Sequence, residues 1–191
     1  AVVEAHPDAH HLVSLPGEQG ALTLSPDGRM LRRIYGERDL LVAESLRRGF
    51  WRELDPASLA AMATTLVYEP RREEGQLGDR HLPRGNFRTA FDATGTLWSE
   101  LDDLEQLHKL PGSQPLSTGL ALVMYRWASG TNLDAVLREA DMAAGDFVRW
   151  TKQTSDLLDQ LSVVADGDVG RTARKALDAI RRGIVAYSSV A

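Results

Sequence analysis

Residues 143–161, AAGDFVRWTKQTSDLLDQL, leave the backbone little choice. Phe147, Thr151, Thr154, Leu158 and Leu161 recur three or four apart, so at 3.6 residues per turn they share one face, with Trp150 and Leu157 at its margin. That face requires a core, and the stretch predicts one long amphipathic helix docked on its apolar side. Diametrically opposite lie Arg149, Lys152, Gln153, Asp156 and Gln160, spaced so that each meets the next along the helix. One edge can therefore present donors and acceptors in a line. Such an edge is either a solvated face with internal ion pairs or a binding surface.

The chain has 191 residues, enough to bury about 70% of its unfolded surface in one core. With 43% hydrophobic and 26% charged residues it falls among globular chains and not disordered ones. The absence of cysteine excludes disulfides, thiolate metal sites and cysteine nucleophiles. No stretch approaches the roughly 18 apolar residues of a membrane span, and the start carries no basic flank followed by an apolar run, so a soluble cytoplasmic protein without a membrane partner is expected. A net charge of -5 argues against a surface that coats DNA nonspecifically, but leaves room for a local groove. Only Lys109, Lys152 and Lys175 are lysines among the 22 basic residues. The others are arginines, whose planar fork suits phosphate and carboxylate alike.

Turn and cap signals divide the chain. Two short strands are expected at Leu12–Leu15 and Ala21–Leu24, around a Pro-Gly interruption. Ser25 is a cap candidate ahead of Pro26 at a first helical position; Gly36 marks a break, and Gly49 ends the next helix. Asp55, Pro56 and Pro70 bracket a third helix. The polar, Gly-rich residues 71–86 read as a mobile loop, and a long helix follows with a glycine, Gly95, inside it. LSTGLALVMYRWASG, nearly all apolar, reads as the central buried helix, with Leu120, Met124 and Trp127 on its buried side, closed by Gly130 before a short helix capped by Thr131. The last segment places Leu177, Ile180 and Ile184 on one side and Arg171, Arg174, Lys175 and Arg182 on the other, with Arg181 adding to the basic side. This basic face is either solvated, with Asp178 neutralising its middle, or a phosphate-tracking surface. The expected fold is all-α: a bundle of about seven helices behind a short extended N-terminal segment.

Other constellations carry less. His6, His10 and His11 have spacing that could suggest metal ligation, but lie in a Pro-interrupted segment unsuited to a site needing four fixed ligands. Ser25 and Ser188–Ser189 have no sequence context that identifies a nucleophile, so no catalytic residue and no metal site is assigned.

Five stretches, in order, resemble the DSHCT domain: GRMLRRIYGERDLLVAESLRRG, LAAMATTLVYEPR, LVMYRWASGTNLDAVL, AGDFVRWTKQTSDLLDQL and AIRRGIVAYSSV. That domain is the C-terminal helical domain of Ski-type superfamily-two (DEAD/DEAH-box) RNA helicases, and the likeness is greatest to the HelY-like branch. The resemblance implies that residues 143–161 correspond to the family's ratchet helix, which lines the channel through which single-stranded RNA leaves the motor. Arg149 would then pair with a phosphate or stack on a base, and Lys152 would supply a point charge. Gln153 and Gln160 would hydrogen-bond bases or ribose, while Asp156 would accept from base amino groups or orient Arg149. It also implies that the motor domains, with their ATP and Mg, belong to the same polypeptide outside this stretch, so that the chain holds no cofactor itself and looks like part of a longer protein. Residues 25–191 would form the DSHCT-like bundle, and 1–24 a linker or the end of a preceding winged-helix region. The rival reading is a helical protein-interaction module without direct RNA contact. A free-standing hydrolase ranks third.

There is no G-x-x-x-x-G-K-[ST] phosphate loop, whose amides and lysine cradle a nucleotide. The purified 191-residue chain is therefore expected neither to bind nor to hydrolyse ATP; saturable binding in a calorimetric titration would refute this.

Overall fold

The computed structural model describes residues 13–14, 23–24, 26–36, 38–70, 82–165, 167–183 and 185. The expected loop over residues 71–81, the histidines His6, His10 and His11, and Ser25, Ile184, Ser188 and Ser189 lie outside these described residues. Among the described residues there are eight helices and one two-stranded ribbon, so the fold is all-α as the sequence pattern predicts. In the ribbon, β1 (Val13–Ser14) pairs antiparallel with β2 (Thr23–Leu24), Val13 opposite Leu24 and Ser14 opposite Thr23.

The chain folds as two compact units. The first contains the described residues up to Phe50 together with Ala93–Pro115. In it, α1 (Pro26–Leu31) packs on β2 and on α2 (Asp39–Arg47). Gly49 (φ 75°) ends α2 as expected: its amide donates to the Leu46 carbonyl while Phe50 N–H reaches Ser45 O, the paired bonds of a Schellman motif. The buried Glu44 carboxylate is held by Arg47, with a second arginine, Arg48, 3.5 Å away. The helix α4 (Asn86–Leu107) runs unbroken through Gly95; its residues to Asp92 belong to the second unit and the remainder to the first. One glycine costs only about 1 kcal/mol in a helix interior, which Leu97 and Leu101, both buried, offset. Past its end the chain folds back: Trp98 Nε1 donates to Ser113 Oγ at 3.0 Å, and Ser113 N–H donates to Glu105.

The second unit is built around α3 (Pro56–Val67), which packs against α5 (Ala121–Ala128), α7 (Ala144–Val164) and α8 (Gly167–Ile180). Asp55 caps α3 through Oδ1, which accepts from Ala57 N–H and Ser58 N–H, and Pro56 occupies the first turn. Here two expectations are corrected. The central buried helix is α3 and not residues 116–130. Residues 58–66 of α3 are all buried, and its alanines, serine and threonines let three neighbours approach closely, whereas α5 is only eight residues long and leaves Arg126 exposed. Leu116–Gly119 are not helical; Ser117 N–H donates instead to Thr65 O at the end of α3. The short helix α6 (Leu133–Ala140) is capped by Asn132, whose Oδ1 accepts from Ala135 N–H, one residue later than the Thr131 expected. Gly130 (φ 102°) closes α5 with the same paired bonds as Gly49, to Trp127 O and, from Thr131, to Arg126 O.

The third correction concerns Arg182. The helix α8 ends at Ile180, so Arg182 does not continue its basic face but turns back. Its NH2 donates to Trp127 O and Thr131 O at the C-terminus of α5, and its guanidinium lies 3.5 Å from the centre of the Trp127 ring. In return Trp127 Nε1 donates to Ile180 O at 2.9 Å, at the C-terminus of α8. Burial lowers the Arg182 pKa from the ordinary arginine value, yet guanidinium remains protonated in proteins. Behind Trp127, Phe147 of α7 meets its ring edge-to-face at 5.6 Å.

Trp127→Ala removes a buried ring and the indole donor to Ile180 O, which keeps only the Arg182 N–H. A loss of about 3–5 kcal/mol is expected in the denaturation midpoint. Trp127→Phe keeps most of the volume and should cost about 1–2 kcal/mol through the missing N–H. At Gly170 a Cβ would lie 2.4 Å from Ala165 O, so Gly170→Ala forces α8 away from the end of α7; roughly 1–3 kcal/mol should be lost in thermal or chemical unfolding.

Candidate nucleic-acid interface

Both sides of α7 follow from its sequence. Phe147, Thr151, Thr154, Leu158 and Leu161 are fully buried, Trp150 and Leu157 nearly so, and Ser155 joins them. The buried hydroxyls do not need water: Thr151 donates to Phe147 O, Thr154 to Trp150 O and Ser155 to Thr151 O, each four residues back. Thr154 also meets Thr64 of α3, 3.1 Å between hydroxyl oxygens. Short side chains satisfied by their own helix allow α7 to dock closely on α3 and α8, which fixes the rotation of its outer edge.

On that edge Arg149, Gln153 and Asp156 are exposed, and Lys152 and Gln160 half-buried. The structure brings all five to the same side, as the periodicity requires. Asp156 lies about 10 Å along the axis from Arg149, two turns away. Arg149 instead rests over the ring of its neighbour Trp150, 4.4 Å from the centroid. Trp150 is thus buried and not an open stacking platform: its edge meets Tyr68 at 5.0 Å, and Arg149 covers it from outside.

Val163 extends the same edge. Positions 149, 153, 156, 160 and 163 alternate steps of four and three, which keeps them in one row about 21 Å long, and Val163 is 68% exposed at its end. The spacing contained this signal, but an isolated valine among polar residues does not announce a contact.

The basic face of α8 is more committed than its sequence suggests. Arg171 pairs with Asp168, Arg174 donates to Ser162 O at the end of α7, and Arg182 is turned inward. Lys175 and Arg181 stay exposed. No described helix is long and apolar enough to cross a membrane, and no cluster of three potential metal-ligating side chains occurs among the described residues.

Residues 21–188 match the DSHCT (NUC185) domain. Over 176 residues, 87% of this chain, the sequence is 43% identical to a probable helicase HelY of Mycobacterium leprae and 42% identical to a probable helicase HelY of Mycobacterium tuberculosis, covering 19% of each. A chloroplastic DExH-box ATP-dependent RNA helicase of Arabidopsis thaliana is 28% identical over 162 residues, 82% of this chain and 14% of that protein. The chain spans less than a fifth of the length of these curated relatives. With the family pattern covering most of its length and the two mycobacterial helicases agreeing at more than two residues in five, the chain belongs to the DSHCT domain family.

Proposed function

We propose that this chain is the RNA-channel domain of an ATP-dependent RNA helicase, with α7 as its strand-contacting ratchet helix. Residues 25–191 would form the domain and 1–24 its connection to the preceding part of the polypeptide. The motor domains, which bind ATP and Mg, lie elsewhere in that polypeptide, in keeping with relatives of which the match covers only 19% and 14%. The cysteine-free composition accords with a cytoplasmic setting.

One observation supports the reading above the others: α7 is immobilised by a fully buried face while its opposite edge presents Arg149, Gln153 and Asp156 to solvent in register. A row of this kind offers a cation for phosphate, amide groups for base edges or ribose, and a carboxylate that accepts from base amino groups and repels phosphate. Arg149, exposed and with its guanidinium carbon 4.4 Å from the centre of the Trp150 ring, is placed to stack on a base or bond a phosphate. As the motor domains close and open on ATP, the strand would step past a row that holds it by several weak contacts. The rival reading, a protein-interaction face, uses the same edge with another partner.

Arg149→Ala in the full-length protein distinguishes them. The fold should lose only about 0.5–1 kcal/mol, the cation–π contact with Trp150. RNA-stimulated ATPase activity and unwinding should fall while ATP affinity is unchanged, and Arg149→Lys should restore only part. Equal unwinding by folded wild type and Arg149→Ala would remove the strand-contact role and leave the protein-interaction face.

A further inference from the structure

We infer that the chain carries a second single-stranded nucleic-acid contact, formed by Arg32, Arg33 and Tyr35 after α1, separate from the row on α7. Tyr35 is 78% exposed, more than either of the other two exposed large hydrophobic residues among the described ones, Leu107 and Val163. Its position has a local cause. The turn after α1 is closed by Arg32 N–H to Gly28 O, Arg33 N–H to Met30 O and Ile34 N–H to Leu31 O, and Ile34 is buried as its anchor. With Ile34 pointing inward, its neighbours Arg33 and Tyr35 are directed outward, and Arg32 and Arg29 are exposed beside them.

The charge of this stretch opposes that of the chain. Residues 29–38 contain four arginines (Arg29, Arg32, Arg33 and Arg38) and one acid, Glu37, within a protein of net charge -5. Arg38 is engaged inside the first unit, donating to Gln114 O and Pro115 O. Arg32 and Arg33, both exposed, stand three and two residues before Tyr35 in the same turn. Exposed guanidinium groups and an exposed aromatic ring in one short turn suit a single strand, which offers phosphates and unstacked bases together. A duplex hides its base faces, and an acidic peptide makes no use of the ring.

The inference rests on the nucleic-acid reading of the domain, and the test separates the two. Fluorescence anisotropy on the full-length protein with a labelled 20-nucleotide single-stranded RNA would compare wild type, Tyr35→Ala, Tyr35→Phe and the double variant Arg32→Ala/Arg33→Ala, with thermal midpoints as the folding control. Tyr35→Ala should weaken binding about five-fold or more, as expected for a lost stacking contact, with the salt dependence unchanged, and Tyr35→Phe should bind as wild type does. The double variant should also lower the slope of log affinity against log salt by about 1.4, two phosphate contacts on a single strand. Failure of wild type to bind RNA would defeat the channel reading and this contact together. Wild-type binding that is indifferent to all three variants overturns this contact alone. So does loss of binding to phosphatidylserine vesicles in the double variant with RNA affinity intact, which would assign the patch to a lipid surface.

Discussion

Two helix C-termini in this protein satisfy one another. The carbonyl of Ile180, at the end of α8, accepts from the indole of α5, and the carbonyls of Trp127 and Thr131, at the end of α5, accept from the arginine that follows α8. Each helix end presents carbonyls and the negative end of its dipole to a half-buried environment, where, besides this exchange, Trp127 O accepts from Gly130 N–H and Ile180 O from Arg182 N–H. The guanidinium answers both needs, because it brings positive charge and donors together. It is held in place by lying on the ring whose own N–H completes the exchange. The arrangement has a cost, since Arg182 Nε is buried without a partner among the described residues. Phe147 of α7 meets the Trp127 ring edge-to-face, which ties α7 to the same joint.

A different economy governs α7 and α3. Their shared surface contains hydroxyls, which in an apolar core would be costly if unpaired. Each is paid back locally, to a carbonyl of its own helix, and Thr64 and Thr154 add one bond between helices. Threonine is smaller than leucine, so the two backbones approach closely and the long helix has no freedom to roll. An edge whose function depends on the order of its side chains gains more from such rigidity than from any single contact on it.

Features set within a few residues of chain were legible in the sequence. Asp55 with Pro56, the glycines Gly49 and Gly130, and the two faces of residues 143–161 all stand where spacing and cap chemistry place them. What the sequence did not disclose depends on partners far along the chain. Arg182 has the helical spacing of a solvated basic face, and only a tryptophan 55 residues earlier diverts it. The centrality of α3 over α5 escaped hydropathy because closeness of approach, set by alanine and threonine, outweighs apolar content in deciding which helix lies at the middle. Lys109 and Asp141 take left-handed conformations at helix ends without glycine to mark them. At the candidate site the membership of the row was readable, whereas the seat of Arg149 on Trp150 was not, since adjacent residues on a helix usually diverge.

The exchange between α5 and α8 also makes the two residues after Ile180 an integral part of the fold. A protease nick between Ile180 and Arg182 would leave α1 to α8 whole yet free the guanidinium from the carbonyls at the end of α5, more than fifty residues upstream. An insertion of even one residue there would swing the guanidinium off the indole. Variation in length is therefore poorly accommodated at this apparently peripheral turn, even though Arg181 and Gly183 within it are exposed.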